Sequence, residues 1–127
     1  MPLPSLLLAL QGLHSVGQIK PDEKLLVSGA AGAVGSLVCQ LGLKAGAKVY
    51  AIAGTEAKCA WLEGELGVHK AINYKGVTFK EELKELGWID VFFDNVGGEL
   101  LDLVLRRLNK GARIVLCGND WFPVTCL

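Results

Sequence analysis

The 127-residue sequence lacks several features that would direct it to nucleic acids, metals or membranes. Its 13 Lys and Arg residues balance 13 Asp and Glu residues, and the cations are scattered. This leaves no basic patch for nucleic acid or an acidic membrane surface. The four cysteines include no C-x-x-C pair, and only two histidines could join them as zinc ligands. We therefore predict no metal site, no nucleic-acid partner and no membrane partner.

The apolar start of the chain, Met1-Pro-Leu-Pro-Ser-Leu-Leu-Leu-Ala-Leu, lacks the marks of a signal peptide. It has no basic segment before the apolar run, the run is short, and no Ala-x-Ala cleavage site follows. It is also far too short to span a bilayer. We expect residues 4–17 to form a helix packed on the domain. Because three of the four cysteines lie in apolar stretches, where reduced cysteine acts as a small core residue, we expect a cytoplasmic protein.

One stretch, Val27-Ser-Gly-Ala-Ala-Gly-Ala-Val-Gly35, organises the chain. The apolar run Leu25-Leu26-Val27 leads into it and has the length and chemistry of a strand. Four apolar residues then follow at the spacing of an amphipathic helix: Val34, Leu37, Val38 and Leu41. The pattern predicts a strand, a tight glycine turn and a helix.

The small residues of this turn fit the dinucleotide fingerprint G-x-G-x-x-G. Ala30, Gly32 and Gly35 occupy its three small-residue positions, with alanine in the first. Such residues allow a tight turn, close approach of the backbone to a pyrophosphate, and close packing of helix on strand. The N–H groups of a helix starting near Ala33 would hold the phosphates. A purely structural turn is the alternative, because glycine and alanine are abundant in this chain.

Strands and helices alternate along the rest of the chain, which predicts an α/β fold with a doubly wound parallel sheet of the Rossmann type. We interpret residues 1–127 as one domain, with a nucleotide-binding core at 23–118, an atypical tail at 119–127 and a sheet truncated after the fifth strand. The predicted strands are 24–28, 48–53, 70–74, 89–94 and 112–117. The predicted helices are 33–44, 56–66, 78–86 and 99–108.

The end of the second predicted strand favours NADP over NAD. NAD-binding units usually place a carboxylate there to accept a hydrogen bond from the ribose 2′-OH. This chain has Gly54 instead, and Lys58 follows one turn into the next helix, where it could compensate a 2′-phosphate. Glu56 lies between them and is explained as a partner of the helix dipole. Taken alone, Lys58 could equally be an ordinary solvated lysine.

Several motifs in register resemble the medium-chain dehydrogenase/reductase superfamily. Within it, the sequence is similar to the zinc-independent, NADPH-dependent enone reductases, which include the prostaglandin reductases (leukotriene B4 12-hydroxydehydrogenase). The likeness covers residues 16 to 118. The motifs that carry it are Val27–Ser36, Gly54–Cys59, Glu65–Gly67, Ile72–Lys75, Phe93–Gly98 and Arg113–Gly118.

The resemblance implies roles for particular residues. Lys58 and Tyr74 match the residues that hold the adenosine 2′-phosphate in that family, and Asn95 matches a cofactor contact. Without the family, Tyr74 could shield the core, Asn95 could cap the Gly97-Gly98 turn, and Lys75 could serve either purpose. The remaining matches are Gly32, Ala33, Val34 and Gly35 at the pyrophosphate, and Cys117 and Gly118 beside the nicotinamide.

The resemblance also implies a reaction and reveals departures from the family. Such enzymes transfer a hydride from NADPH to the β-carbon of an α,β-unsaturated ketone or aldehyde. This chain matches neither their N-terminal substrate domain nor the tyrosine segment that follows the Cys-Gly pair, so no catalytic residue is assigned. We expect the cofactor half of an enone reductase, inactive alone; a non-catalytic NADP(H)-binding or partner-binding fragment is the alternative. Residues 112–117 would form an exposed edge strand that favours a homodimer, unless residues 121–124 cover it.

Overall fold

The computed structural model describes residues 9–116 and 125–126, and its side chains except those of residues 11, 15, 16, 125 and 126. Five strands form a parallel sheet: β1 (Lys24–Val27), β2 (Lys48–Ala53), β3 (Lys70–Asn73), β4 (Ile89–Asp94) and β5 (Leu108–Leu116). The helices between them are α1 (Ala33–Lys44), α2 (Glu56–Trp61), α3 (Phe79–Glu85) and α4 (Gly98–Leu105). Two π-helical segments, Gln11–Val16 and Leu62–Leu66, precede β1 and extend α2.

The strand order is β3-β2-β1-β4-β5, so β1 is central. The chain adds β2 and β3 on one side of β1, and then β4 and β5 on its other side. This is the predicted doubly wound parallel sheet, which confirms the α/β fold class. One more strand joins it. The short strand β6 (Thr125–Cys126) pairs antiparallel with Val115 and Leu116 at the end of β5. Residues 121–124, the predicted cover of this edge, lie outside the described residues.

Apolar cores lie on both faces of the sheet, and neighbouring residues of β4 separate them. Phe93 is fully buried in the core under α1 and the N-terminal helical segment, where it joins Leu13 and Val38. Phe92 is fully buried in the core under α3 and α4, together with Leu83. Successive strand residues point to opposite faces, so helices must cover both sides of the sheet.

The boundary between α4 and β5 differs from its prediction. The sequence predicts a helix that reaches residue 108, but the helix ends at Leu105. The strand begins at Leu108, four residues before its predicted start, because Leu108 pairs with Ile89 at the beginning of β4. Gly111 therefore lies inside the strand, in the left-handed region at φ 79°. There it absorbs an irregularity in the pairing of β4 with β5.

The side chain of Arg113 on β5 binds the segment that precedes β1 in the sequence. Its guanidinium donates two hydrogen bonds to the carboxylate of Glu23, at 2.8 and 2.5 Å. It also donates to the carbonyl oxygens of Gly17 and Gln18, at 2.9 and 3.1 Å. Planar two-point pairing of this kind fixes geometry as well as contributing energy. The ion pair thus positions the N-terminal helical segment over the sheet.

The space around Gly35 and around Gly64 predicts opposite effects on stability when each is replaced by alanine. A Cβ on Gly35 would lie 2.2 Å from the carbonyl oxygen of Gly29, which is backbone and cannot rotate away. We expect Gly35→Ala to lower the free energy of unfolding by about 3 kcal/mol, the upper part of the overpacking range. Gly64 has open space around it, so Gly64→Ala should raise stability by about 0.5–1 kcal/mol. Urea denaturation of both variants measures this, and a Gly35→Ala midpoint equal to that of wild type would contradict it.

Candidate functional site

A groove of about 230 Å³ opens where β1 and β2 end. Ligands of open parallel sheets bind at this edge, beside the point where the strand order reverses. A second hollow of about 310 Å³, which includes Trp61, adjoins the groove and shares Ala31 and Lys58 with it. The residues lining the groove are Gly29, Ala31, Gly32, Ala53, Gly54 and Lys58.

The turn between β1 and α1 has its left-handed residue one position earlier than the fingerprint suggested. Gly29 has φ 58°, whereas Ala30 is fully buried and donates its N–H to the carbonyl of Ile52 at 3.1 Å. A Cβ on Gly29 would also lie 3.1 Å from the Cβ of Asn95. Gly29 is therefore a site residue that the motif alone missed. Its only signal in the sequence is a glycine directly after the strand.

The four predicted pyrophosphate residues divide into two kinds of position. Gly32 and Ala33 are exposed at the start of α1, whereas Val34 packs on the core and Gly35 is buried. Gly32 adopts an extended conformation before the helix, and no side chain among the described residues caps this helix end. The N–H groups of the first turn lack intrahelical partners. They therefore leave a donor surface with positive helix-dipole character beside the groove.

The opposite wall of the groove is built around Gly54, where the structure brings three predicted residues together. Lys58 lines the groove beside Gly54. A Cβ on Gly54 would lie 3.3 Å from Cε1 and 3.5 Å from the hydroxyl oxygen of Tyr74. Tyr74 is 38% exposed, and its ring lies along Gly54 at the edge of the groove.

The start of α2 explains how Lys58 and Glu56 are placed. Thr55 caps the helix by accepting a hydrogen bond from the Lys58 N–H at 3.1 Å, as its position before the helix predicts. The Glu56 carboxylate lies in the first turn and also accepts a hydrogen bond from Nδ2 of Asn73, at 3.3 Å. Asn73 is the last residue of β3, at the edge of the sheet where ligands bind. Its contact draws the carboxylate of Glu56 toward the end of β3.

A buried polar network closes the other side of the site, at the ends of β1 and β4. Ser28, fully buried, donates its hydroxyl to Oδ1 of Asp94 at 2.9 Å. The same carboxylate oxygen accepts the N–H groups of Val96 and Gly97, each at 2.9 Å. Asp94, not Asn95, therefore caps this turn. Sequence reasoning missed Ser28 and Asp94 because a polar residue at a strand end does not reveal its partner on another strand.

Asn95 joins β4 to β1 through both its backbone and its side chain. Its N–H donates to the Ser28 hydroxyl at 2.9 Å, and its Nδ2 donates to the Ser28 carbonyl at 2.8 Å. The amide oxygen is not used in these contacts and remains the side chain's acceptor. The predicted site residues Cys117 and Gly118 lie outside the described residues.

Burial makes the two cysteines with described side chains poor nucleophiles. Burial raises the pKa of the Cys39 thiol to about 12, so almost none is thiolate at neutral pH. Burial, and secondarily the negative charge of Glu56, also raises the pKa of Cys59. Both are free thiols that contribute to the core.

Comparison with known proteins identifies the family. Residues 33–125, well over half of the chain, match the family model described as zinc-binding dehydrogenase. The chain belongs to the zinc-binding dehydrogenase family. This agrees with the resemblance to medium-chain dehydrogenases and reductases that the motifs indicated.

Similar members of this family include named reductases. Bovine (Bos taurus) prostaglandin reductase 1 is 44% identical over 110 residues, covering 84% of this chain and 33% of that protein. The NADPH-dependent curcumin reductase of Escherichia coli strain K12 is 38% identical over 112 residues, covering 87% of this chain and 32% of that protein. The crystal structure of CurA from Vibrio vulnificus in complex with NADPH has a TM-score of 0.85 and 44% identity, covering 93% of this chain and 35% of that one. The chain thus spans about a third of the length of these relatives.

The family's name raises the question of a metal. In the ranges 9–116 and 125–126, no group of three or more His, Cys, Asp or Glu side chains lies together in a way that could hold a metal ion. Within the same described ranges, no helix is both long and apolar enough to cross a membrane.

Proposed function

We propose that this chain is the NADP(H)-binding domain of an oxidoreductase that reduces the C=C bond of α,β-unsaturated ketones or aldehydes. The observation that carries the proposal is the groove in which the uncapped start of α1 faces Gly54 and Lys58. It offers backbone donors for a pyrophosphate on one wall and the cation of Lys58 on the other. The relatives named for NADPH and for prostaglandin and curcumin reduction support the same conclusion.

The residues of the groove fit the diphosphate of a dinucleotide. The Ala33 N–H would donate a backbone hydrogen bond, and the absent side chain at Gly32 lets the phosphates approach the main chain. The N–H of Gly32 itself donates to the carbonyl of Gly29 at 3.1 Å and holds the turn. Gly35 acts indirectly, because it lets α1 pack close enough to aim its N–H groups at the groove. Val34 holds the helix on the core.

The residues at the end of β2 fit a 2′-phosphate better than a free 2′-hydroxyl. Gly54 leaves the place of an NAD-selecting carboxylate open, and Lys58 supplies a charge-assisted donor beside it. The Tyr74 hydroxyl, at the edge of the groove, adds a second donor. Within the described residues Lys58 forms no ion pair that would compete with a phosphate.

On the nicotinamide side, Asn95 is proposed as a cofactor contact through its amide oxygen, with Cys117 and Gly118 beside it. When bound, the cofactor supplies the hydride that adds to the β-carbon of the enone. This chain's residues bind and orient that cofactor, and none is assigned as catalytic. We also propose that the reaction is zinc-independent, since the sequence shows no ligand spacing for zinc.

Location and assembly are further parts of the proposal. We place the protein in the cytoplasm because its buried thiols suit a reducing compartment.

We propose that a second copy pairs along the outer edge of β5 to give a homodimer. β6 pairs only with Val115 and Leu116 there, which leaves the preceding residues of the strand unpaired on that side among the described strands. Light scattering that finds a monomer at high micromolar concentration would overturn this part.

Cofactor choice provides the test of the proposed function. Lys58→Ala should weaken NADP(H) binding roughly 10-fold, the low end for a charge-assisted hydrogen bond because this lysine is exposed, and leave NAD(H) binding nearly unchanged. Gly54→Asp should reverse the preference, because it adds a 2′-hydroxyl acceptor that repels phosphate. Calorimetric titration of both cofactors gives the ratio. Lys70→Ala, an exposed lysine at the opposite end of β3, is the matched control. Equal affinity of the wild-type chain for NADP and NAD would contradict the assignment of Lys58 to the 2′-phosphate.

Turnover separates the enone reductase from the non-catalytic fragment. We expect the 127-residue chain to bind NADPH without steady turnover of an alkenal such as nonenal, because it spans about a third of its reductase relatives. NADPH consumption followed at 340 nm measures this. Consumption well above a buffer control would show that the chain carries the whole reaction.

A further inference from the structure

The last residue of β3 and the three residues that follow it, Asn73 to Gly76, form a turn held at three points, here called the 73–76 turn. Oδ1 of Asn73 accepts the N–H of Lys75 at 3.0 Å, and the Asn73 carbonyl accepts the N–H of Gly76 at 3.0 Å. The N–H of Tyr74 donates to the carbonyl of Ala53 at 3.1 Å, which ties the turn to the end of β2. An asparagine that bonds the backbone two residues on is a recognised way to fix such a turn.

This turn places the side chain of Lys75 against the same glycine that opens the groove. A Cβ on Gly54 would lie 3.7 Å from Cε of Lys75, beside the contacts it would make with Tyr74. The Lys75 ammonium lies 5.7 Å from the centre of the Tyr74 ring, within the range of a cation–π contact. Lys75 forms no ion pair among the described residues, so its charge is not neutralised there.

Two lysines therefore approach Gly54 from different elements. Lys58 comes from α2 and lines the groove, and Lys75 comes from the 73–76 turn and reaches Gly54 with its Cε. The carboxylate of Glu56 is bonded to Nδ2 of Asn73. A phosphate group at Gly54 would have two cations near it, which suits a dianion better than a single lysine does.

We propose that Lys75 is a second specificity residue for the 2′-phosphate and that Asn73 is the residue that positions it. This inference rests on the proposed function, since it concerns the same cofactor groove. Lys75 acts directly on the phosphate together with Lys58. Asn73 acts through Lys75, by holding the backbone from which that side chain reaches Gly54.

The test compares two adenosine probes on the full chain, adenosine 2′,5′-bisphosphate and AMP. These probes need only the adenosine half of the groove, and they differ only in the 2′-phosphate. Lys75→Met keeps the apolar stem against Gly54 and removes the charge. We expect it to weaken binding of the 2′,5′-bisphosphate about 5- to 10-fold and to leave AMP binding within about 2-fold of wild type. Lys80→Met is the matched control, because it removes an equal charge from the exposed face of α3.

The outcomes separate this inference from the proposed function. Loss of the 2′-phosphate preference in Lys75→Met but not in Lys80→Met supports the role of Lys75. Equal, small effects of the two variants, with Lys58→Ala still lowering the preference, would overturn the role of Lys75 and leave the proposed function standing. If wild type binds both probes equally or binds neither, the proposed function fails and the inference fails with it.

A double-mutant cycle tests the positioning role of Asn73. All its variants carry Glu56→Gln, so that a released carboxylate does not contribute to the result. In that background we expect Asn73→Ala to lower the ratio of 2′,5′-bisphosphate to AMP affinity about 3- to 5-fold. It should have no further effect once Lys75→Met is present. A general loss of structure would weaken the binding of both probes, whereas a loss of positioning would change the ratio of their affinities. Additive effects of the two substitutions would contradict positioning through Lys75.

Discussion

The site depends on Gly35, which has no Cβ, at the point where α1 packs against the end of β1. At Gly35 the helix lies so close to the preceding turn that a Cβ would stand 2.2 Å from the Gly29 carbonyl oxygen and 2.8 Å from the Ala30 Cα. This contact brings the first N–H groups of α1 to the edge of the sheet. It also forces the turn to be tight, and Gly29 meets that demand with its left-handed backbone. The groove exists because helix and strand meet this closely.

A second constraint holds the two halves of the sheet together at the same edge. β1 and β4 are neighbours in the sheet, although 66 residues separate Ser28 from Asp94. Their hydrogen bond is buried, and the same carboxylate organises the backbone that enters α4. A buried carboxylate that accepts three hydrogen bonds is well satisfied, and losing one donor would leave a costly polar group inside the protein. The network therefore fixes how far apart the two strand ends stand.

The parts predictable from the sequence are those that local pattern determines. The strand before the glycine turn and the start of α1 at Ala33 both follow from residue type and spacing, and they are found as predicted. The parts that were missed depend on partners distant in the chain. β5 starts at Leu108 because of Ile89, and the role of Asp94 depends on Ser28. The contact of Asn73 with Glu56 was not predicted either, since it spans 17 residues and two elements.

The ion pair between Glu23 and Arg113 has a consequence for the order in which the chain folds. β1, β2 and β3 are neighbours made from consecutive sequence, so this half of the sheet can assemble while later residues are still being synthesised. Arg113 reaches back 90 residues to Glu23, and its side chain also binds the carbonyls of Gly17 and Gln18. The segment before β1 leaves the ribosome before the sheet does, yet it acquires this anchor only after β5 has emerged. This segment is therefore among the last parts of the domain to become fixed, and a nascent chain stalled before Arg113 would expose it to chaperones and proteases.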